Sequence, residues 1–350
     1  MKNSFFKKLI NKKKYPYIIA EIGVNHGCSI KKAKRLIDLA AESGASAAKF
    51  QSYKADNLAS KNSPAYWDTK KEKTLSQYSL FKKYDKFEEE NYKDLYFHCK
   101  KRKIDFASTP FDTDAVNYLK PMVKYFKIAS ADINNLPILK AVAQTKKPVL
   151  LSTGASFKKE IDLAIKYLKK NGSKEIAIMH CILNYPTKDK NANLNMIDDL
   201  KKRYPKHLIG YSDHTLPDKN MLNLISAFLK GAFIIEKHFT DNKKKTGNDH
   251  YHSMDKKDLK IFYRNLKKIN LLLGESEKKP IKSEFISRKN ARRSIVLTKN
   301  LAKGDQITKN SITTKRPGTG ITPENWYKII GKRLNKNLKS DHVLKWGDLK

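Results

Sequence analysis

Eight short apolar stretches, each set off from the next by a segment with apolar residues at helical spacing, constrain this chain more than anything else in it. They are YIIAEI (17–22), ASAAKF (45–50), IDFAS (104–108), KYFKIA (124–129), PVLLS (148–152), EIAIMH (175–180), HLIGYS (207–212) and AFIIEK (232–237). Between them lie amphipathic runs such as IKKAKRLIDLAAES and EIDLAIKYLKK. A strand–helix unit repeated eight times over about 250 residues predicts an α/β fold, the (β/α)8 TIM barrel, with an open doubly wound sheet as the competing arrangement.

After the run DKKDLKIFYRNLKKINLLLG the periodicity breaks in ESEKKPIKSEFISRKN, a polar stretch carrying a proline. The chain thus divides into a basic arm at 1–14, a barrel at 15–275, a linker at 276–290, and a module at 291–350. The module's short extended pieces and frequent Gly and Pro predict a small β-rich fold. A module of roughly 60 residues is near the lower limit for independent stability, so docking on the barrel or on a second subunit is expected.

Lys and Arg number 73 against 35 Asp and Glu, a formal net charge of +38. The lysines are spread over most segments (KKAKR, KKEK, KKRK, KKNGSK, NKKKTG) and no nucleic-acid motif accompanies them. Nonspecific attraction to polyanions at low salt is therefore expected, and specific nucleic-acid binding is not. Cys28, Cys99 and Cys181 are widely spaced without a C-x-x-C pair, which speaks against a disulfide framework or thiolate zinc site and for a reducing cytoplasm. The basic N-terminus lacks the apolar core of a signal peptide, and no later stretch approaches a membrane span.

In such a barrel the chemistry belongs at the C-terminal ends of the strands. In order, these ends carry Glu21; Lys49 and Gln51; Ser108 and Thr109; Lys127, then Ser130 and Asp132; Ser152 and Thr153; His180, then Tyr185; Ser212, Asp213 and His214; and Glu236 and His238. Lys49 and Lys127 lie in apolar strand contexts, where desolvation costs roughly several kcal/mol unless each meets an anion. An ion pair with a barrel carboxylate would serve either one. Two of them ringed by Thr109, Ser130, Ser152 and Ser212 point instead to a small phosphorylated acid as ligand. His214 and His238, on neighbouring strand ends, would meet at one open metal site suited to Mn²⁺, with Mg²⁺ or Co²⁺ as alternatives. His26, His180 and His250 are weaker competitors.

The motifs AEIGVNHGCS, AAKFQ, FKIASAD, LSTGAS, HCILNYPT, GYSDHT, EKHFT and KRPGTG resemble, in order and spacing, the sialic acid synthases and their relatives that make other nonulosonic acids. The likeness covers about residues 15 to 350. It implies a TIM barrel followed by an antifreeze-like SAF domain, a domain-swapped homodimer, and condensation of phosphoenolpyruvate with an N-acetylated hexosamine aldehyde. By the same resemblance Lys49, Thr109, Lys127, Ser130, Ser152 and Ser212 hold phosphoenolpyruvate, and His214 and His238 bind the divalent metal. Glu21 and Glu236 orient metal-bound water, so that Glu21, Lys127, His214 and His238 form the catalytic set. Gln51, Asp132, Tyr185 and Asp249 meet the sugar, with Arg316 of KRPGTG reaching in from a partner subunit.

Asp132 in ASAD and Leu183 before NYP depart from the common family pattern. They leave the sugar open among N-acetylmannosamine, its 6-phosphate, and the 2,4-diacetamido-6-deoxy sugars leading to legionaminic or pseudaminic acid. Other readings of the same residues are a metal-dependent barrel aldolase or hydrolase, a Schiff-base aldolase, a polyanion-binding protein, and an ice-binding module.

Overall fold

The computed structural model describes residues 4–12, 15–70, 72–247 and 249–350. All eight apolar stretches form strands: β1 Tyr17–Gly23, β2 Ala47–Ser52, β3 Asp105–Pro110, β4 Phe126–Ile128, β5 Val149–Ser152, β6 Ile176–Cys181, β7 Leu208–Asp213 and β8 Ile234–His238. They pair in parallel in one sheet ordered β3-β2-β1-β8-β7-β6-β5-β4. The two outer strands, β3 and β4, come into contact, so the sheet curls into a nearly closed barrel and the open doubly wound alternative fails.

Side-chain alternation assigns each strand residue to one of two cores. Ile18, Ala20, Ile22, Ala48, Phe50 and Ile235 face outward and pack with the helices. The helix Ile30–Glu42 shows why the helices lie down on that surface. It buries Ala33, Leu36, Ile37 and Ala40, one stripe at i, i+3, i+4 and i+7, and its first turn is capped by the Ser29 hydroxyl accepting from the Lys32 amide. The helix Lys158–Lys170 repeats the stripe with Ile161, Ala164, Ile165 and Leu168.

The residues of opposite parity, among them Tyr17, Ile19, Ala47, Ala107, Leu150, Ala177, Met179 and Ile234, fill the N-terminal half of the barrel interior with Tyr125. Residues 1–14, expected to be a basic arm, are folded where described. Phe5–Lys12 is a helix whose Phe6 is buried in that inner core, while the Ser4 hydroxyl and the Phe6 amide donate to Glu175 at 2.8 and 3.3 Å. Residues 1–3, 13 and 14 lie outside the described residues.

The chain separates into two compact units, Met1–Leu272 and Leu273–Lys350. In the second, the stretch expected as a linker carries a helix, Phe285–Ala291. Beyond it, β9 Ser294–Leu297 pairs antiparallel with β10 Ile312–Lys315, and single bridges such as Val296↔Val343 and Leu301↔Leu338 continue the β character. Ile295, Leu297, Ile307, Ile312, Ile321, Ile329, Leu334 and Leu344 give this small unit its own core.

Candidate active site

Toward the C-terminal ends of the strands the inward-facing rows change chemistry. Tyr17 and Ile19 lead to Glu21, Ala47 to Lys49 and Gln51, Ala107 to Thr109, Leu150 to Ser152, Met179 to Cys181, and Ile234 to Glu236 and His238. Most of these rows meet in one cavity of about 390 Å³, which Glu21, Lys49, Gln51, Thr109, Lys127, Ser130, Asp132, Ser152, Cys181, Leu183, Tyr185, Ser212, His214, Glu236 and His238 line. Asp249 borders a smaller cavity of about 60 Å³ next to it, sharing Gln51, Tyr185 and His238. Arg316 is exposed in the second unit. His180 has the outward parity: its Nε2 lies 2.9 Å from the Ala192 carbonyl and its ring stacks on Tyr211.

The two buried lysines are answered from within the barrel. Lys49, its side chain 3% exposed, sits 2.6 Å from Glu21 and 3.8 Å from Glu236, and it donates to Thr109 at 2.9 Å. Lys127, 5% exposed, lies 3.4 Å from the same Glu236 oxygen. Two ammonium groups and two carboxylates therefore neutralise each other, so desolvation of the lysines does not by itself require a ligand anion. The carboxylates are likewise held by lysines, with Gln51 donating to Glu21 at 3.0 Å and Ser212 to Glu236 at 3.2 Å. Burial lifts the Glu21 carboxyl above its ordinary value even against the pull of Lys49. For Glu236 burial works the same way, but Lys127 and Lys49 outweigh it and hold the group below the usual range.

What the quartet leaves open is hydrogen bonding. Ser152 Oγ, Asp132 Oδ2, Glu236 Oε2 and His238 Nδ1 are buried without a hydrogen-bond partner among the described residues. Ser130 reaches the cavity from a short turn after β4, Ser130–Asp132, where its hydroxyl accepts from the Gly154 amide at 2.9 Å. Asp132 is held by Asn135 at 3.0 Å, and burial raises its carboxyl.

The histidines form a second cluster on the β7–β8 side. His214 Nδ1 is 2.8 Å from the Ile182 carbonyl, which fixes a proton there and leaves Nε2 free. Burial opposes charge on this ring, yet Cys181 beside it shifts the balance toward protonation. Behind His214, Asp213 ties β7 to β8 through Lys237 at 2.6 Å and accepts from Tyr211 at 2.7 Å. The His238 ring lies 5.6 Å from that of His214, centroid to centroid, and burial followed by His252 and His214 keeps it neutral. Among the described residues one group of metal-ligating side chains stands out, His238, Asp249 and His252, whose donor atoms all lie within 4.8 Å of one another. His252 was missed in the sequence because it sits in a loop beyond β8, where strand-end reasoning does not reach. Cys181 was missed too, although its inward parity beside Met179 would have found it.

Residues 36–278 match the NeuB family and residues 292–350 the SAF domain. An N,N'-diacetyllegionaminic acid synthase of Campylobacter jejuni is 38% identical over 334 residues, covering 94% of this chain and 98% of that one. One from Legionella pneumophila is also 38% identical, over 94% of this chain and 93% of its own. A crystal structure of N-acetylneuraminic acid (sialic acid) synthetase from Leptospira borgpetersenii, in complex with citrate, superposes with a TM-score of 0.68 at 34% identity, covering 78% of this chain and 90% of that one. With a nearly closed parallel barrel, a polar cavity at its strand ends and a C-terminal SAF domain, this chain belongs to the NeuB family of sialic and other nonulosonic acid synthases.

Proposed function

We propose that this chain condenses phosphoenolpyruvate with the open-chain aldehyde of an N-acetylated amino sugar and water, giving a nonulosonic acid and inorganic phosphate. The observation that carries this reading is the set of orphaned polar atoms, Ser152 Oγ, Asp132 Oδ2, Glu236 Oε2 and His238 Nδ1, in residues around a cavity that also presents Lys49 and Lys127. Buried polar atoms without partners are costly, so a ligand that completes them gains from each one. Two ammonium groups among hydroxyls suit a phosphorylated carboxylate.

In the reaction C3 of phosphoenolpyruvate forms a bond to the aldehyde carbon, and the aldehyde oxygen takes up a proton. Water then adds at C2, losing a proton, and the C2–O bond to phosphate breaks as the new hydroxyl becomes the ketone. Lys49, Lys127, Thr109, Ser130, Ser152 and Ser212 hold phosphoenolpyruvate and its leaving phosphate. As the lysines turn to the phosphate their grip on Glu21 and Glu236 loosens, and a carboxylate so freed can take the proton of the attacking water. Glu21, raised by burial, suits that exchange.

A divalent metal fits this donor set, because His238 is held neutral and His214, with Nδ1 on the Ile182 carbonyl, can offer Nε2 to an ion once the ring is neutral. His214 and His238 would hold it, with Mn²⁺ first and Mg²⁺ or Co²⁺ as alternatives. Bound there, the metal supplies Lewis acidity at the sugar carbonyl oxygen.

Gln51, Asp132, Tyr185 and Asp249 would meet the sugar, and Arg316 would enter from a partner subunit in a domain-swapped, cytoplasmic homodimer. Two relatives named as legionaminic acid synthases support 2,4-diacetamido-2,4,6-trideoxymannose as acceptor ahead of N-acetylmannosamine or its 6-phosphate. So does the apolar stretch that Leu58, Phe111 and Leu183 give the cavity, which suits a deoxy carbon better than a phosphate. The test is phosphate release and product mass with Mn²⁺, phosphoenolpyruvate and each sugar in turn. Release with the trideoxy sugar is expected; release with another sugar alone would overturn the acceptor, and release with none would overturn the reaction.

A further inference from the structure

His252 is a buried polar side chain that the proposed chemistry does not use. It is 0% exposed, and among the described residues neither ring nitrogen has a hydrogen-bond partner. A neutral imidazole carries one N–H to donate and one lone pair to place, so a merely packed ring in this position would leave both unmet, against the ordinary satisfaction of buried polar groups. Its surroundings are other ligand types. The His238 ring is 4.8 Å away centroid to centroid, at 68°, and the His214 ring 6.4 Å away. Asp249 Oδ2 lies 3.4 Å from His238 Nδ1.

The loop that carries these residues is clamped. Asn25 donates to the Phe239 carbonyl at 3.0 Å and to the Ser253 hydroxyl at 3.1 Å, which in turn donates to the Asp249 carbonyl at 2.5 Å. The Met254 amide donates to the His238 carbonyl at 2.8 Å and the Thr240 amide to the Met254 carbonyl at 2.9 Å. Backbone bonds thus fix the 249–254 segment alongside the end of β8, so the donors are held together before any ion arrives.

We propose that His252 is a further direct ligand of the divalent metal, a third imidazole beside those of His214 and His238, with the donor atoms of His238 and His252 within 4.8 Å of each other. This rests on the reading that a metal binds at His238 and deepens it. Such a donor set suits Mn²⁺, Co²⁺ or Zn²⁺ more than Mg²⁺, which prefers oxygen.

The test uses the full chain stripped of metal and reloaded with Mn²⁺, as wild type, His252→Phe, His252→Asn and His238→Asn. Electron spin-echo modulation from coordinated ¹⁴N counts the imidazoles on Mn²⁺, and calorimetric titration gives the affinity. Circular dichroism of each apo protein checks the fold, and the small polar Asn variant guards against a packing failure with Phe. The expected result is one fewer coordinated nitrogen in both His252 variants, with affinity about 10- to 100-fold weaker. An unchanged nitrogen count in His252→Asn, with His238→Asn losing one, overturns the role of His252 and leaves the metal site standing. Failure of the wild-type protein to bind Mn²⁺, Co²⁺ or Zn²⁺ overturns the metal reading itself.

Discussion

Lys49 concentrates the energetics of the site in one side chain. It is buried, and Glu21 at 2.6 Å and Glu236 at 3.8 Å hold its ammonium above its ordinary value even though burial pulls it down. A buried pair of this kind gains little over an apolar pair of the same volume, but breaking it strands the surviving charge. Lys49→Met should therefore cost about 3–5 kcal/mol of stability in urea denaturation. The double variant Lys49→Met with Glu21→Gln should recover more than half of that, because the stranded carboxylate is gone. Equal loss in single and double variants would mean that packing, and not charge, sets the cost. Lys127 shares Glu236 with Lys49, so the four side chains are expected to be strongly non-additive.

At the scale of strands, the alternation of side chains does most of the placing. It puts Gly210 on the inner face of β7 between Met179 and Ser212, and there a Cβ would meet Met179 Sδ at 2.3 Å and the Ile234 carbonyl at 2.7 Å. The backbone carbonyl cannot give way without breaking the β7–β8 register that sets Ser212 beside Glu236. Gly210→Ala should lower stability by about 1–3 kcal/mol through overpacking, read as a fall in melting temperature. It should also weaken phosphoenolpyruvate binding through Ser212. The same alternation separates His180, which packs outward, from Cys181, which borders the cavity. The strand ends were legible in the sequence and led to the strand residues that line the cavity except Cys181, whose inward parity beside Met179 went unread. Strand parity carries no information on the 249–254 segment, so His252 escaped it.

At the scale of the whole molecule, the second unit has an electrostatic anchor of its own. Asp348, whose side chain is 4% exposed, meets Lys336 at 2.7 Å, His342 at 2.9 Å and the Lys345 amide at 2.9 Å. Burial alone would raise its carboxyl, but these partners outweigh it and bring the group down from 3.8 to about 2. A carboxylate depressed on folding stabilises the folded state fully above its unfolded value and loses that contribution as pH falls toward the folded one. The wild-type advantage over Asp348→Asn should then be about 2 kcal/mol at pH 7 and shrink between about pH 4 and pH 2. Amide hydrogen exchange of β9 and β10 in the full chain would read it; an advantage that does not change with pH would assign the effect to packing. The net charge of +38 has no such local anchor, and it governs solubility and nonspecific attraction to polyanions more than fold.

By itself the sequence determined what repeats along the backbone: eight strands with helices between them, the polar residues at the strand ends, and a small β-rich unit after the barrel. Those follow from the periods of two and 3.6 that every strand and helix shares, so they are written locally. The tertiary structure alone decided which charges neutralise one another. Glu21 and Lys49 are 28 residues apart, and Lys127 and Glu236 are 109 apart; only barrel closure brings the four together. It alone decided that a basic N-terminal segment would form a helix against the inner core, and that His252 would come to rest beside His238 and Asp249. Those distances depend on register between strands and on the path of a clamped loop, and no local pattern encodes either.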